Sequence, residues 1–238
     1  MHIKKLVCIL KKEIKTEEFF MLQMYRTVYE GRSAEIVEKK SRFIANVKPV
    51  KSEEEALEFL ERMKKQYWDA RHNCFAYTIG ENFQIQRCSD DGEPSGTAGK
   101  PMLDVLLGEG IHDTIVVVTR YFGGTLLGTG GLVRAYQGAT KAGLEESVVI
   151  TKYFGRKVTI GTDYTGLGKI QYILGQRKIL ILNTEYTDSV VLEVLLPGDV
   201  EGQVKAEIVE GTNGQAVIVD GEECYFADVE GEVVIYND

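Results

Sequence analysis

The sequence predicts an α+β protein of two domains, and two patterns along the chain carry this prediction. A run of β-branched residues at 114–119 is followed by a glycine-rich loop and an amphipathic helix, which is typical of an α/β unit. Near residue 151 the pattern starts again and follows the order βαββαβ, which is the order of a ferredoxin-like sandwich. A chain of 238 residues is long enough for two such domains.

Composition places the chain among soluble globular proteins. Hydrophobic residues make up 44% and charged residues 27%, and no apolar stretch approaches the roughly 20 residues of a membrane helix. The four cysteines, Cys8, Cys74, Cys88 and Cys224, are far apart and form no C-x-x-C pair. Reduced thiols of this kind indicate a cytoplasmic protein and no membrane partner.

The formal charge of −8 is unevenly distributed. Residues 151–238 contain seven Lys/Arg and fifteen Asp/Glu, whereas the charges of residues 1–150 balance. Because no part of the chain forms a basic field, no DNA partner is predicted, and RNA binding would need a local basic patch.

The first domain is predicted from a series of short elements after residue 24. Residues 1–24 themselves are predicted to be an N-terminal extension, with a short helix as the alternative. A signal peptide is not predicted, because the apolar patch 6–10 is too short for a signal-peptide core. Ser52 and Glu55 form a capping box that begins a helix. The predicted strands lie at 32–38, 42–50, 73–79 and 83–88, and a short helix follows at 101–108.

The run 114–119 contains no polar alternation before Arg120, which predicts a strand buried on both faces. Thr129 is the predicted N-cap of the helix that follows, and one apolar face of this helix carries Leu132, Ala135, Tyr136, Ala139 and Gly143. The intervening glycines could present N–H groups to an anion, or could serve backbone conformation and close packing alone. Their spacing does not match a P-loop.

Three carboxylates, Asp90, Asp91 and Glu93, lie within four residues of a loop shaped by glycine and proline. Such a cluster could hold Mg²⁺, or could form a structural tie to Arg120 or Arg134. By alternation Arg120 shares a face with the buried valines, so it is expected to be part-buried and paired. Arg134 lies on a polar stripe of its helix and is expected to be solvated.

The sequence contains no convincing pair of nucleophile and base. His72 and Cys74 share a strand face but lie about 6–7 Å apart, and Ser95 has no evident base. A binding surface is therefore easier to defend than a catalytic one.

The second domain is predicted from residue 151 onwards. Its strands are expected at 156–161, 179–187, 190–196 and 215–219, its helices at 163–176 and 200–209, and the tail 225–238 could extend the sheet. It has no aromatic-rich strand of the kind that RNA-recognition modules use.

Three motifs give the sequence a family resemblance: RHNCFAY at 71–77, DDGEPSGTAGKPM at 90–102 and DTIVVVTRYFGGTLLGTGGLVRAY at 113–136. In this order and within about 65 residues they resemble the IMPACT/YigZ family, and the resemblance extends over 25–238. It implies a ribosomal protein S5 domain 2-like fold for the Impact-type domain at 25–150. The ferredoxin-like domain at 151–238 is similar to a domain found in translation elongation factors.

The resemblance implies a cytoplasmic, translation-associated regulatory or binding protein with no assigned catalytic activity. Eukaryotic relatives are linked to restraining a starvation-activated kinase that targets an initiation factor. The expected partner is the translation machinery or a ribosome-associated factor, and no cofactor is expected unless Mg²⁺ binds. Two alternatives remain open: an Mg²⁺-dependent enzyme acting on a phosphorylated small molecule or nucleotide, and an RNA-binding module.

The predicted binding surface combines residues of all three motifs and includes no catalytic residue. Asp90, Asp91 and Glu93 are its weak metal candidates. The full set is Arg71, His72, Asn73, Asp90, Asp91, Glu93, Ser95, Thr97, Arg120, Tyr121, Gly123, Gly124, Gly130, Gly131 and Arg134.

Overall fold

The computed structural model describes residues 22–236 and confirms the two-domain α+β architecture. The first half contains β1 (Met24–Glu30), β2 (Ser33–Glu38), β3 (Ser41–Pro49), α1 (Glu53–Gln66), β4 (His72–Ile79), β5 (Ile85–Ser89), α2 (Gly99–Gly108), β6 (Ile111–His112), β7 (Thr114–Tyr121) and α3 (Thr129–Glu146). The second half contains β8 (Val148–Thr162), α4 (Tyr164–Gln176), β9 (Leu180–Tyr186), β10 (Val190–Pro197), α5 (Glu201–Gly211), β11 (Val217–Val229) and β12 (Glu232–Tyr236).

The predicted buried strand, β7, is the centre of the first domain. It is the middle strand of a five-stranded antiparallel sheet with the order β2-β3-β7-β4-β5. Val116 and Val118 pack with α2 and α3 on one face, and Ile115 and Val117 pack with α1 on the other. The α/β unit predicted for this domain, with two layers expected, thus has three: α2 and α3 cover one face of the sheet and α1 covers the other.

The ends of two helices show how local sequence determines the elements. Ser52 caps α1 by accepting a hydrogen bond from the N–H of Glu55, whose carboxylate accepts from the N–H of Lys51. The prediction of Thr129 as N-cap is wrong, because Thr129 is the first residue of α3 and Gly128 occupies the cap position. Gly128 has φ of 72°, a left-handed conformation that threonine adopts only with strain.

The second domain has the predicted βαββαβ order. Its four strands pair in the order β9-β10-β8-β11, all antiparallel, and α4 and α5 share a core with the sheet. β11 runs from Val217 to Val229, well beyond the predicted 215–219. β12 pairs with the end of β11, so the tail extends the sheet as expected.

The long strand β8 joins the two domains. Its first part, from Val148 to Tyr153, pairs with β1, and its second part pairs with β10 on the same edge. β1 was not predicted as a strand and lies in this second sheet, with β6 beyond it. The predicted domain boundary at 150/151 falls inside β8. Of the predicted extension, residues 1–24, the first 21 residues lie outside the described part of the chain. No helix among residues 22–236 is long and apolar enough to cross a membrane.

Candidate functional site

The three sequence motifs meet at the end of β7. In the register of β4 and β7, His72 lies opposite Arg120 and Asn73 lies opposite Thr119. On the other side of β7, Phe43 of β3 lies opposite Arg120. The pairing of neighbouring strands thus brings the first and third motifs together, and the acidic loop between β5 and α2 packs behind them.

A buried ion pair anchors this loop. Nη1 of Arg120 donates to Oε1 of Glu93 at 2.7 Å, and the two side chains are only 8% and 3% exposed. The rings of Phe43 and Phe122 lie 5.4 Å and 5.6 Å from the guanidinium carbon. Arg120 was expected to be part-buried and paired; it is buried, and of the two alternatives for the acidic loop the tie to Arg120 is the one formed, through Glu93.

The ion pair continues into a buried hydrogen-bond chain. The Tyr136 hydroxyl donates to Oε1 of Glu93 at 2.9 Å, and the Cys74 thiol lies 3.3 Å from Tyr136 Oη and 2.9 Å from the Asp90 carbonyl oxygen. Burial raises the pKa of both the Cys74 thiol and the Tyr136 hydroxyl. Cys74 therefore stays a neutral thiol, which is a poor nucleophile. The sequence placed Tyr136 on an apolar face of its helix. The one available signal for this network was the residue type, because a buried tyrosine hydroxyl usually has a hydrogen-bond partner.

Asp90 fixes the backbone of the loop. Its Oδ1 accepts hydrogen bonds from the N–H groups of Ala98 and Gly99, both at 2.9 Å, and its Oδ2 accepts from Gly96 at 2.8 Å. Partial burial raises the pKa of Asp90, but the three N–H donors outweigh it, so the pKa lies below its usual value. Asp90 thus acts as a cap for the start of α2.

Asp91 ties the same loop to β4. Its Oδ2 accepts from the N–H of Asn73 at 2.6 Å, and its carbonyl oxygen accepts from Nδ1 of His72 at 2.8 Å. Since a carbonyl can only accept, Nδ1 of His72 carries a proton. The Asn73 side chain accepts from the Thr119 hydroxyl at 2.7 Å.

The three candidate metal ligands therefore point to three different protein partners. Asp90 accepts hydrogen bonds from backbone N–H groups of its own loop, and Asp91 accepts one from the backbone of β4. Glu93 accepts hydrogen bonds from Arg120 and Tyr136. Across residues 22–236, no group of three His, Cys, Asp or Glu side chains is arranged to hold a metal ion. The structural tie that the sequence offered as an alternative is what the geometry shows.

The glycine loop is shaped by close packing. A Cβ at Gly123 would lie 2.0 Å from the carbonyl carbon of Lys40, and the Gly123 N–H donates to the Ser41 hydroxyl at 3.1 Å. Gly124 and Gly128 have positive φ, and Gly130 and Gly131 lie in the first turn of α3. These glycines have backbone and packing roles that need no ligand.

Beside the loop lies a cleft of about 520 Å³, which we call the motif cleft. Phe122 and Leu126, which the sequence did not single out, are 58% and 82% exposed at its rim. The Tyr121 hydroxyl donates to Oδ1 of Asp69 at 2.7 Å, and this bond raises the pKa of Tyr121. The cleft is lined by Asp69, Ala70, Arg71, His72, Arg120, Tyr121, Phe122 and Leu126.

The structure divides the predicted binding residues other than the glycines into three groups. Arg71, His72, Arg120 and Tyr121 line the motif cleft. A second group supports it from behind through the contacts above: Asn73, Asp90, Asp91 and Glu93. Three others lie away from the lining: Ser95 and Arg134, which are exposed, and Thr97, which is buried and donates to the Pro94 carbonyl oxygen. The exposure of Arg134 was predicted.

Comparisons with known proteins agree with the two-domain division. A family model described as the Impact N-terminal domain matches residues 39–144. A second, described as a domain of unknown function, DUF1949, matches residues 160–215.

Two bacterial relatives match the chain over nearly their whole length. The chain is 45% identical over 205 residues to the IMPACT family member YvyE of Bacillus subtilis (strain 168), covering 86% of this chain and 94% of YvyE. It is 39% identical over 187 residues to the IMPACT family member YigZ of Escherichia coli (strain K12), covering 78% of this chain and 92% of YigZ. A crystal structure described as that of a hypothetical protein is 35% identical with a TM-score of 0.53, covering 84% and 98% of the two chains. The resemblance carried by the three motifs is thereby confirmed: the chain belongs to the IMPACT family.

Proposed function

We propose that this chain is a translation-associated binding protein whose first domain docks a macromolecular partner at the motif cleft. The proposal is supported by one observation: the carboxylates of the motifs form hydrogen bonds and an ion pair within the protein and are not left open for a metal ion or a substrate. The carboxylates of Asp90, Asp91 and Glu93 all hold protein groups, so they serve to build a fixed surface.

What this surface presents to solvent is suited to binding. Phe122 and Leu126 are exposed at the rim, and Arg71 is exposed in the lining. Among residues 22–236, Nε of Arg120 is buried without a hydrogen-bond partner behind this surface. Aromatic residues and arginine around a concave surface are typical of binding hot spots.

The polar groups of the motifs favour binding over catalysis. Nδ1 of His72 is committed to the Asp91 carbonyl oxygen, and the Cys74 thiol is buried with a raised pKa. Ser95 makes no side-chain hydrogen bond to a residue in the described part of the chain. A nucleophile and a base within hydrogen-bond reach, which covalent catalysis requires, are not found together in this surface.

The link to translation is supported by family membership and by the fold of the second domain. The sequence resemblance to the IMPACT family implies this setting, and the ferredoxin-like domain is similar to one found in translation elongation factors. Cosedimentation with ribosomes tests this link directly.

The test is sedimentation of ribosomes from cells that express the tagged full-length chain, in growth and in starvation. We expect the wild type to cosediment at low salt, and the double variant Arg71→Ala, Leu126→Ala to lose roughly 90% of the cosedimenting protein. Truncating one hot-spot side chain typically costs about 2 kcal/mol or more, which is over tenfold in affinity. A matched control, Leu57→Ala with Arg62→Ala, removes the same two residue types from the exposed side of α1 and should cosediment normally.

Two results would contradict the proposal in different ways. Absence of the wild type from ribosomal fractions in both conditions would remove the translation link. Equal cosedimentation of both double variants would remove the motif cleft as the docking surface. A thermal shift with Mg²⁺ and a nucleotide that Arg71→Ala abolishes would instead favour the enzyme alternative.

A further inference from the structure

The sheet of the second domain has one face that α4 and α5 leave uncovered. Val158 and Ile160 of β8, and Leu192 and Val194 of β10, pack into the core with the two helices. Because side chains alternate along a strand, the residues between them face the other way. We call this surface the open face; it comprises Thr159, Gly161, Glu185, Val191, Glu193, Val217 and Val219.

The centre of the open face is an exposed apolar groove. In the register of the sheet, Gly161 lies between Val191 on β10 and Val217 on β11, and Thr159 lies between Glu193 and Val219. Val217 and Val219 are 63% and 56% exposed. A Cβ built at Gly161 would come within 3.8 Å of Val217, so the missing side chain leaves a shallow channel between the valines.

Charge is arranged differently on the two faces of this domain. Residues 151–238 carry seven Lys/Arg against fifteen Asp/Glu. Three of these cations form ion pairs with carboxylates on or beside the helices: Arg156 with Glu201 and Glu223, Arg177 with Glu207, and Lys205 with Glu201 and Asp220.

On the open face the carboxylates lack such partners. Glu185 and Glu193 are both exposed, and neither forms an ion pair with another residue of the range 22–236. They lie diagonally across β9 and β10, a separation of about 7–8 Å in an antiparallel pair. Lys157, two residues before Thr159 on β8, borders this surface on the same side of the sheet. The open face therefore combines an apolar channel with one neighbouring lysine and two carboxylates that form no ion pair within the described chain.

We propose that the open face docks a basic segment of a partner protein. Lysine or arginine side chains of the segment would pair with Glu185 and Glu193, while its aliphatic side chains would cover Val217 and Val219. This surface is separate from the motif cleft, and the inference does not rest on the role proposed for that cleft.

The same features disfavour RNA at this face. Phosphate groups would meet the two carboxylates, and single-stranded RNA is usually held by aromatic side chains on which bases stack. The described open-face residues around Gly161 include no aromatic side chain: Thr159, Gly161, Val191, Glu193, Val217 and Val219. Tyr153 and Phe226 lie further along the same side of the sheet, where their ring centroids are 5.9 Å apart.

The test uses the full-length, ¹⁵N-labelled chain and a short peptide of arginine and valine, with a counterpart in which glutamate replaces arginine. We expect the arginine peptide alone to shift the backbone amides of β8, β10 and β11 around the open face. Glu185→Gln with Glu193→Gln should weaken binding roughly tenfold, and Val217→Thr with Val219→Thr should weaken it about as much. Threonine keeps the branched shape, so the second variant should remain folded.

The matched control is Asp199→Asn with Glu210→Gln, which removes two exposed charges away from the open face and should leave affinity within about twofold of wild type. Several outcomes would overturn the proposal. These are no binding of the arginine peptide, amide shifts centred elsewhere, an equal loss in the control variant, or displacement of the peptide by single-stranded RNA at the same amides.

Discussion

At the scale of single residues, the ion pair between Arg120 and Glu93 should dominate the stability of the first domain. Both side chains are more than nine-tenths buried, so removing one leaves the other charged and without compensation. We expect Arg120→Ala or Glu93→Ala to lower the free energy of unfolding by about 3–5 kcal/mol. Urea unfolding with a constant m-value would measure this loss.

An exposed pair in the same sheet provides the control. Arg42 and Glu35 form a bidentate ion pair whose side chains are 51% and 39% exposed, so Arg42→Ala should cost far less than Arg120→Ala. Replacing both buried partners, as Arg120→Met with Glu93→Leu, should cost less than either single alanine variant. Equal losses in Arg120→Ala and Arg42→Ala would show that burial adds nothing.

The sequence offered a tie between Arg120 and the acidic loop as one of two alternatives, but it did not indicate the network around it. Alternation along β7 was enough to place Arg120 on a buried face, where an arginine needs a carboxylate. Tyr136 and Cys74 join the same network from a helix and another strand, 43 and 19 residues from Glu93. Contacts of this kind depend on how elements pack, and helical periodicity reports only which face of α3 is buried.

At the scale of elements, the loop from Asp90 to Gly99 is held as one unit by a carboxylate whose pKa lies below its ordinary value. A lowered folded-state pKa means that Asp90 stabilises the fold above the unfolded-state pKa of about 4, and that this contribution is lost as pH falls through the folded value. Asp90→Asn should therefore cost about 1–3 kcal/mol near pH 7, because an amide nitrogen cannot accept the Gly96 hydrogen bond. The difference from wild type should shrink in urea unfolding at about pH 3.

Asp104→Asn in α2 is the matched substitution for this experiment. Asp104 forms an exposed ion pair with Lys100, so its loss should cost at most about 1 kcal/mol near pH 7. A cost for Asp90→Asn that equals that of Asp104→Asn, or that stays constant down to about pH 3, would argue against the capping role of Asp90.

The elements themselves were predictable to different degrees. β7 and the buried face of α3 follow from residue types and periodicity, and the order βαββαβ follows from spacing. β1 was missed because its place is determined by pairing with β8, more than 110 residues later in the chain. Thr129 was misassigned because side-chain preference suggests a cap, whereas the turn at Gly128 requires a positive φ.

At the scale of the whole molecule, β8 makes the two domains share one strand. Its first part pairs with β1 and its second part with β10, while β11 follows the opposite edge past the junction between them. Gly155 lies at this junction, where it pairs with both Pro197 and Cys224. We therefore expect the two domains to unfold in one cooperative transition.

A matched pair of glycine substitutions tests this expectation. A Cβ at Gly155 would lie 2.5 Å from the Leu196 carbonyl oxygen and 2.8 Å from Cε1 of Phe226, so Gly155→Ala should destabilise the chain by about 1–3 kcal/mol. Gly168 lies inside α4 with nothing within 4 Å of its added Cβ, so Gly168→Ala should stabilise by about 0.5–1 kcal/mol. If unfolding is shared, Gly155→Ala should accelerate amide exchange in β3 and β10 by the same factor, roughly tenfold per 1.4 kcal/mol, and Gly168→Ala should slow both. Exchange that changes in β10 while β3 keeps its wild-type rate would mean that the domains unfold separately, and that β8 connects them without coupling their stability.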